Sequence, residues 1–547
     1  MIDDQLRTEV LEWIKNDPDK NTADQLNKWL AEGNEKELKR CFSGFLQFGT
    51  AGLRGPVGPG PSCMNRAVVS RTASGIVAFM KKNNLSSVVI GKDARHGSDE
   101  FAQDSAEIFS GAGIKTYVLP RAFPTPVLAF AVNKLKVDVG IMVTASHNPA
   151  ADNGYKVYLG NMLNGVNYRG SQIVAPVDLA ISAEITDAEL TPSRSQTFEL
   201  VNESVIDDYI SSVSNLVTLE NNLKIVYTAL HGVGTEVFLK VFEKAKFASP
   251  ILVAEQVKRD PDFPTTPFPN PEEAGACDLL LELAEKTNAD IAIAHDPDAD
   301  RCAAGILENN KWRLLTGDEL GGALAWWEFE RAKVFKLPKP QGTLATSIVS
   351  TSLLQKIAEK EAVKYQATLT GFKWIGRIPD LIFGFEEAIG YCVDSKNVKD
   401  KDGITAGLRI AELAAYLKQN QKSFSDLLQE IATEFGLHYT TQLSIRMNDM
   451  GAIPAALENI KSAKQVGHHK IIETIDMQTG LHGLLPTSGI YLQLENGRVI
   501  VRPSGTEPKL KAYIELVSKV LDYKTDKLVL KQTADKLKED LRQILGV

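Results

Sequence analysis

Val137-Asp-Val-Gly-Ile-Met-Val143 runs straight into Thr144-Ala-Ser-His-Asn-Pro149, and this junction decides how the chain is read. The first seven residues are mostly apolar and β-branched, the pattern of a short buried strand. The strand stops at a polar turn, and Pro149 cannot continue a ladder. Asn153-Gly154 makes a second turn before Tyr155-Lys-Val-Tyr-Leu159, which predicts another strand. Ser146 therefore falls where the backbone turns sharply between strands, with His147 beside it and Lys156 close enough in sequence to return to the same place. Loops at the carboxyl ends of strands are where α/β proteins keep their chemistry, so Ser146 is a candidate nucleophile. An ordinary Ser/Asn/Pro turn is the competing reading.

Working outward from this pair of strands, one scheme of strand, chemically loaded loop and helix recurs. Upstream, helix-like Ala67 to Lys82 leads to a strand at Ser87 to Ile90, the polar loop Gly91-Lys-Asp-Ala-Arg95, a helix near Glu100 to Gly111 and a strand at Lys115 to Leu119. A second unit begins at Leu223 and reaches Ala289-Asp-Ile-Ala-Ile-Ala-His295; a third has strands at Thr343 to Ile348 and Tyr365 to Leu369. From about Thr441 strands and helices mix, ending in the amphipathic Thr525 to Leu545. The expected fold is α/β, with three related α/β domains built on mixed sheets and a smaller C-terminal α+β domain. The boundaries are placed at 1–210, 211–320, 321–440 and 441–547. Residues 1 to about 40 set Leu6, Val10, Trp13 and Ile14 at helical spacing, an amphipathic lead-in to the first domain.

A chain of 547 residues is too long for one core. Its 44% hydrophobic and 24% charged residues are those of a soluble globular protein, and a net charge of -8 argues against non-specific nucleic-acid binding. The five cysteines lie far apart, form no CxxC pair and predict reduced thiols. No apolar run approaches bilayer length and the first residues lack the pattern of a signal peptide, so a cytoplasmic location is expected.

Four further stretches carry chemistry. Phe48-Gly-Thr-Ala-Gly-Leu-Arg-Gly-Pro-Val-Gly-Pro-Gly60 is expected to be a glycine-rich loop that lets backbone approach a ligand, with Arg54 as a fixed cation. It lacks P-loop spacing, so nucleotide binding is not indicated. His295-Asp-Pro-Asp-Ala-Asp-Arg301 follows a predicted strand directly, and its alternating Asp296, Asp298 and Asp300 can face one side of an extended loop. Hard oxygen ligands at this spacing suit Mg²⁺, with Arg301 offsetting excess negative charge. Beside a serine hydroxyl, such a metal suggests phosphoryl transfer. Gly384-Phe-Glu-Glu-Ala-Ile-Gly-Tyr391 is expected to be a loop offering paired carboxylates to vicinal sugar hydroxyls, or else a helix start. Arg502-Pro-Ser-Gly-Thr-Glu-Pro-Lys-Leu-Lys511 combines cations, hydroxyls and a glycine backbone, a nest for a phosphate that is held and not transferred, or else a solvated basic turn.

Taken in order, these loops resemble those of the α-D-phosphohexomutase superfamily, the phosphoglucomutase and phosphomannomutase enzymes. Thr144 to Pro149 is similar to the family's phosphoserine loop, Asp296 to Arg301 to its metal loop, Gly384 to Gly390 to its sugar loop and Arg502 to Thr506 to its phosphate loop. The resemblance implies four domains around a central cleft. It implies a phosphorylated Ser146, Mg²⁺ held by Asp296, Asp298, Asp300 and the group on Ser146, and a sugar 1,6-bisphosphate as intermediate and activator, glucose 1,6-bisphosphate above all. It places Arg54, His147 and Lys156 at the reacting phosphate, His147 or Lys156 being the acid/base. Substrate contacts are implied for Arg301, Thr370, Glu386, Ala388, Lys401, Arg502, Ser504, Gly505, Thr506 and Lys511. Many hexose mutases have Glu-x-Ser in the sugar loop, whereas Glu386-Glu387-Ala388 resembles the branch that includes phosphopentomutases and sugar-bisphosphate synthases.

Three activities are weighed: a phosphoglucomutase that also accepts mannose phosphates, a phosphopentomutase, and a metal-dependent phosphatase using Ser146. The separate Arg502 anchor favours a mutase, since hydrolysis has no need to hold a second phosphate. A phosphosugar is the expected partner, with no nucleic acid and no membrane, acting on a monomer or homodimer.

Overall fold

In a computed structural model, which describes residues 2–49, 52–188, 191–219, 223–447, 449, 451–503 and 509–546, the apolar run ahead of Ser146 folds as the strand Val139–Val143, buried throughout. It lies parallel to Ser87–Lys92 on one side and antiparallel to Asp152–Leu159 on the other. The sheet continues to Lys115–Val118 beyond the first and to Leu53–Pro56 beyond the second. The helices Ser98–Gly111 and Thr125–Lys134 connect the parallel strands. Ile76, Phe79 and Met80 of the helix Arg66–Lys82 share one core cluster with Ile90, Ile141 and Val143 of the sheet.

The glycine-rich stretch is not all loop. Leu53–Pro56 is a strand at the sheet edge, with Arg54 opposite Gly154. Closely spaced glycines and Pro56 hide it in the sequence, yet proline is tolerated at an edge, where no ladder partner is lost. Gly52 is required here: its φ is +81°, and a Cβ would come 1.8 Å from the carbonyl oxygen of Tyr155. The lead-in forms three helices, Asp4–Asn16, Lys20–Glu32 and Glu35–Cys41, whose Leu6, Val10, Leu26 and Leu38 make their own small core.

The chain divides into two compact units: Met1–Leu315 with Gly390–Ala415, and Thr316–Ile389 with Tyr416–Val547. The first holds the sheet above and a second mixed sheet. In that second sheet Ile251–Leu252, Ile225–Thr228 and Ile291–His295 run parallel, and Cys302–Glu308 and Lys311–Leu314 return antiparallel. In the other unit, Lys364–Thr368, Thr343–Ser347 and Leu381–Glu386 are parallel neighbours. Leu381–Glu386 takes in the first three residues of the stretch Gly384 to Tyr391 expected to be a loop, concealed by Gly384, whose Cβ would meet Ile375 at 2.4 Å. The C-terminal part is a six-stranded antiparallel sheet with the helices Ala452–Ser462 and Tyr523–Leu545. The expected architecture of three α/β domains with mixed sheets and a distinct C-terminal domain is thus observed.

Among the described residues no helix is long and apolar enough to cross a membrane. All five cysteines are buried free thiols, although Cys41 and Cys63, distant in sequence, bring their Sγ atoms to 3.9 Å.

Candidate active site

Ser146 turns the chain at the end of its strand by taking a left-handed conformation, φ +54°. Such strain costs about 1–3 kcal/mol and persists only where surrounding contacts impose it. The backbone N–H of Ser146 donates to Thr144 Oγ1 at 2.8 Å, and its Oγ donates to Asp296 Oδ2 at 2.7 Å and lies 3.2 Å from His147 Nδ1.

Asp296, Asp298 and Asp300 are all buried, and one carboxylate oxygen from each lies within 4.8 Å of the others. A turn and not an extended loop brings them together: Ala299 N–H bonds back to Asp296 O at 2.9 Å, with Ala299 at φ +52°. Lys156 Nζ donates to Asp298 Oδ2 at 2.7 Å and Asp300 Oδ2 at 2.8 Å, and Lys401 Nζ lies 3.3 Å from Asp300 Oδ2. Arg301 donates its backbone N–H to Asp296 Oδ1 at 3.0 Å and approaches Glu272 with its guanidinium. Arg54, on its edge strand, donates to Asn148 Oδ1 at 3.1 Å, within the Ser146 turn.

Burial opposes ionisation of all three aspartates, but they do not respond alike. Burial and the charges of Asp298 and Asp300 push Asp296 well above the carboxylate range. Lys156 overcomes burial at Asp298 and Asp300, aided at the latter by Lys401, and holds both below it. Burial, Arg301 and Arg54 hold His147 well below the usual imidazole range. Asp298 Oδ1 and Asp300 Oδ1 are buried without a hydrogen-bond partner. An orphaned buried acceptor costs about 1–3 kcal/mol. Two such oxygens in an all-carboxylate cluster fit a hard divalent cation.

In the second unit, Arg502 bonds the hydroxyls of Thr370 and Thr487, and Lys511 lies opposite Arg502 on the adjacent strand. Opposite residues of an antiparallel pair share a face. Ser504, Gly505 and Thr506 lie outside the described residues. Glu386 Oε1 accepts from Gly371 N–H at 2.6 Å. Glu387 turns inward, its Oε2 accepting from Ser347 Oγ at 3.0 Å and Ser350 Oγ at 2.9 Å. Ala388 follows with no polar side chain.

Two contributors escaped the sequence reading. Thr125, at the start of its helix, donates from Oγ1 to Asp298 Oδ2 at 2.6 Å. Arg95 bonds the backbone of the Ser146 turn. A Pro-Thr-Pro turn and an arginine in a polar loop carry no signal of these contacts. Lys401 meets Asp300 across a separation in sequence that spacing cannot bridge.

Four family models match in succession: phosphoglucomutase/phosphomannomutase α/β/α domain I over residues 46–189, domain II over 207–308, domain III over 316–435 and the C-terminal domain over 452–526. The chain is similar to "Probable phosphomannomutase" of Haemophilus influenzae, 42% identical over 499 residues, 88% of this chain and 98% of the relative. It is 36% identical to human phosphopentomutase, covering 94% of this chain and 92% of that one, and 34% identical to human glucose 1,6-bisphosphate synthase, covering 94% and 90%. A crystal structure of a phosphoglucomutase/phosphomannomutase family protein from Burkholderia thailandensis shares the fold, with TM-score 0.70 at 19% identity over 91% of this chain and 97% of that one. By class the protein is a phosphomutase, an isomerase. It belongs to the phosphoglucomutase/phosphomannomutase family within the α-D-phosphohexomutase superfamily.

Proposed function

We propose that the protein interconverts hexose 1-phosphate and hexose 6-phosphate, glucose first and mannose also, through a phosphorylated Ser146 and a hexose 1,6-bisphosphate. The observation that carries this reading is the convergence of Ser146 Oγ, from one sheet, with three buried carboxylates from the turn of another. Asp296, Asp298, Asp300 and the group on Ser146 would hold Mg²⁺, which offsets charge on a moving phosphoryl group.

In the first half-reaction the bond from phosphorus to Ser146 Oγ breaks and one to a sugar hydroxyl forms; the proton lost by the sugar is balanced by the one Oγ gains. The bisphosphate then presents its other end: a bond from Oγ to that phosphorus forms, the bond from the same phosphorus to the sugar oxygen breaks, and the proton given up by Oγ passes to that sugar oxygen. His147 Nδ1 is 3.2 Å from Oγ and suits this proton transfer, whereas Lys156 Nζ is committed to Asp298 and Asp300 and suits a fixed cation. Arg54, Arg301 and Lys401 add positive charge around the same cluster. Arg502 with Lys511, Thr370, Ser504, Gly505 and Thr506 would hold the phosphate that is not transferred. Glu386 would accept from sugar hydroxyls, next to Ala388. Trace hexose 1,6-bisphosphate would maintain the phosphorylated enzyme.

One observation favours a second reading, a phosphopentose mutase. The loop Glu386-Glu387-Ala388 turns Glu387 toward Ser347 and Ser350 and lacks a hydroxyl at 388, so it suits a sugar with fewer hydroxyls to pair. Initial rates with glucose 1-phosphate, mannose 1-phosphate and ribose 1-phosphate, with Mg²⁺ and trace glucose 1,6-bisphosphate, decide between them. A higher kcat/KM for a hexose is expected, a pentose preference would move the assignment to the second reading, and free phosphate as the main product would mark a phosphatase.

A further inference from the structure

We propose that Arg95 is the positioning residue of the nucleophile turn, the group that holds Ser146 in the strained conformation from which Oγ reacts. This rests on the nucleophilic role of Ser146 given above. The side chain of Arg95 is 1% exposed. One terminal nitrogen donates to the carbonyl oxygens of Pro149 at 2.7 Å and Asp152 at 3.0 Å; the other donates to those of Ser146 at 2.7 Å and Asn148 at 2.5 Å. All four acceptors are main-chain oxygens, and together they span the turn from the nucleophile to the start of the next strand. Only a planar fork of N–H groups can meet four such acceptors at once; an ammonium has three donors on one atom.

The fork is itself fixed on both sides. The Arg95 guanidinium lies 4.8 Å from the centre of the Phe263 ring, and its Nε faces Asp93 Oδ2 at 3.5 Å. Asp93 Oδ1 accepts from Arg95 N–H at 3.0 Å and Ser98 Oγ at 2.7 Å. Arg95 enters from the loop after Ser87–Lys92, the parallel neighbour of the strand that ends before Ser146, and Lys92 is in register with Val143. The sheet thus carries both the turn and its clamp. Ser146 sits at φ +54°, with its own N–H bonded to Thr144 Oγ1; Asn148 N–H to Ala145 O at 3.1 Å, Asp152 N–H to Pro149 O at 3.0 Å and Arg54 to Asn148 Oδ1 at 3.1 Å tie parts of the turn, and Arg95 alone among these groups bonds the carbonyl of Ser146 itself.

A misplacement of about 1 Å at reacting atoms can cost about 100-fold in rate. Arg95→Lys is therefore expected to lower kcat for glucose 1-phosphate by about 100-fold while KM stays within about threefold. Amide hydrogen exchange of residues 144–153 should accelerate at least about tenfold, with 87–92 and 139–143 unchanged. Phe263→Leu leaves the guanidinium in place but removes its stacking face, and carries the same test if Arg95→Lys does not fold; both readings should move the same way by about fivefold. A variant that lowers Tm but keeps wild-type kcat and wild-type exchange in the turn overturns the proposal, leaving Arg95 a core residue. Exchange is measured without substrate, so a wild type lacking mutase activity would remove the reading of Ser146 while unchanged exchange alone removes the clamp.

Discussion

Asp300 in the first unit and Glu387 in the second are both acidic residues just beyond buried strands, yet they are held by different chemistry. Asp300 lies 2.8 Å from the ammonium of Lys156 and 3.3 Å from that of Lys401. Glu387 accepts from the hydroxyls of Ser347 and Ser350 at 3.0 and 2.9 Å. Charged partners in a buried site set protonation and field, and their loss leaves an uncompensated charge. At Glu387 the serine hydroxyls fix the orientation of the carboxylate, and the charge of Arg502 reaches it as well. Under the proposed function the first arrangement would serve where negative charge moves, and the second where the sugar is told apart.

The difference can be broken most severely at Ser146. Ser146→Ala should lower turnover by at least about 10⁴-fold while the fold survives with a lowered Tm, since the hydroxyl that donates to buried Asp296 is lost. Next comes Asp298→Asn, expected to cost on the order of 10³-fold in kcat and to abolish the Mg²⁺ dependence of the remaining rate; wild-type activity undiminished in excess chelator would remove the metal from the account. In the second unit, Glu387→Ala should lower stability by about 1 kcal/mol, since the Ser347 and Ser350 hydroxyls lose the carboxylate but keep each other at 2.9 Å, and raise KM more than it lowers kcat. Equal losses in kcat from Glu387→Ala and Asp298→Asn would erase the contrast.

The smallest effects concern pH, and they have opposite signs in the two units. Burial opposes ionisation of Glu515, but Arg498, His438 and Thr351 hold it below its ordinary 4.5. A depressed carboxylate pKa contributes stability that is complete above the unfolded value and lost as pH falls below it, so this contribution should fade below about pH 5. Burial pushes Asp402 in the first unit, beside Tyr209, up from 3.8 to about 7. Its contribution is complete below 3.8 and lost as pH rises toward 7. Tm profiles of Glu515→Gln and Asp402→Asn should accordingly flatten on the acid side and between pH 4 and 7, respectively.

The strand and turn at Ser146 are legible because a mostly apolar, β-branched run, Pro149 and Asn153-Gly154 are local signals. The acidic loop was legible as a cluster for the same reason, though its convergence comes from a turn at Ala299 and not from extended alternation. Leu53–Pro56 and the end of Leu381–Glu386 from Gly384 read as loop in the sequence because glycine weakens the local pattern while answering a close approach of neighbouring groups. Thr125, Arg95 and the pairing of Lys401 with Asp300 depend on contacts between distant segments, which no spacing encodes. Glu386 and Glu387 look equivalent in sequence; in the fold the Gly371 N–H at Glu386 and the serine hydroxyls at Glu387 distinguish them.

The central claim, that Ser146 takes and returns the phosphoryl group, is tested most directly by incubating the protein with glucose 1,6-bisphosphate labelled in its phosphates and Mg²⁺, then mapping the label by peptide mass spectrometry while following its transfer to glucose 1-phosphate. The account predicts stoichiometric label on Ser146, chased into glucose bisphosphate and isomerised product at the rate of turnover, and no label in Ser146→Ala. Turnover that proceeds with Ser146 unlabelled would contradict it.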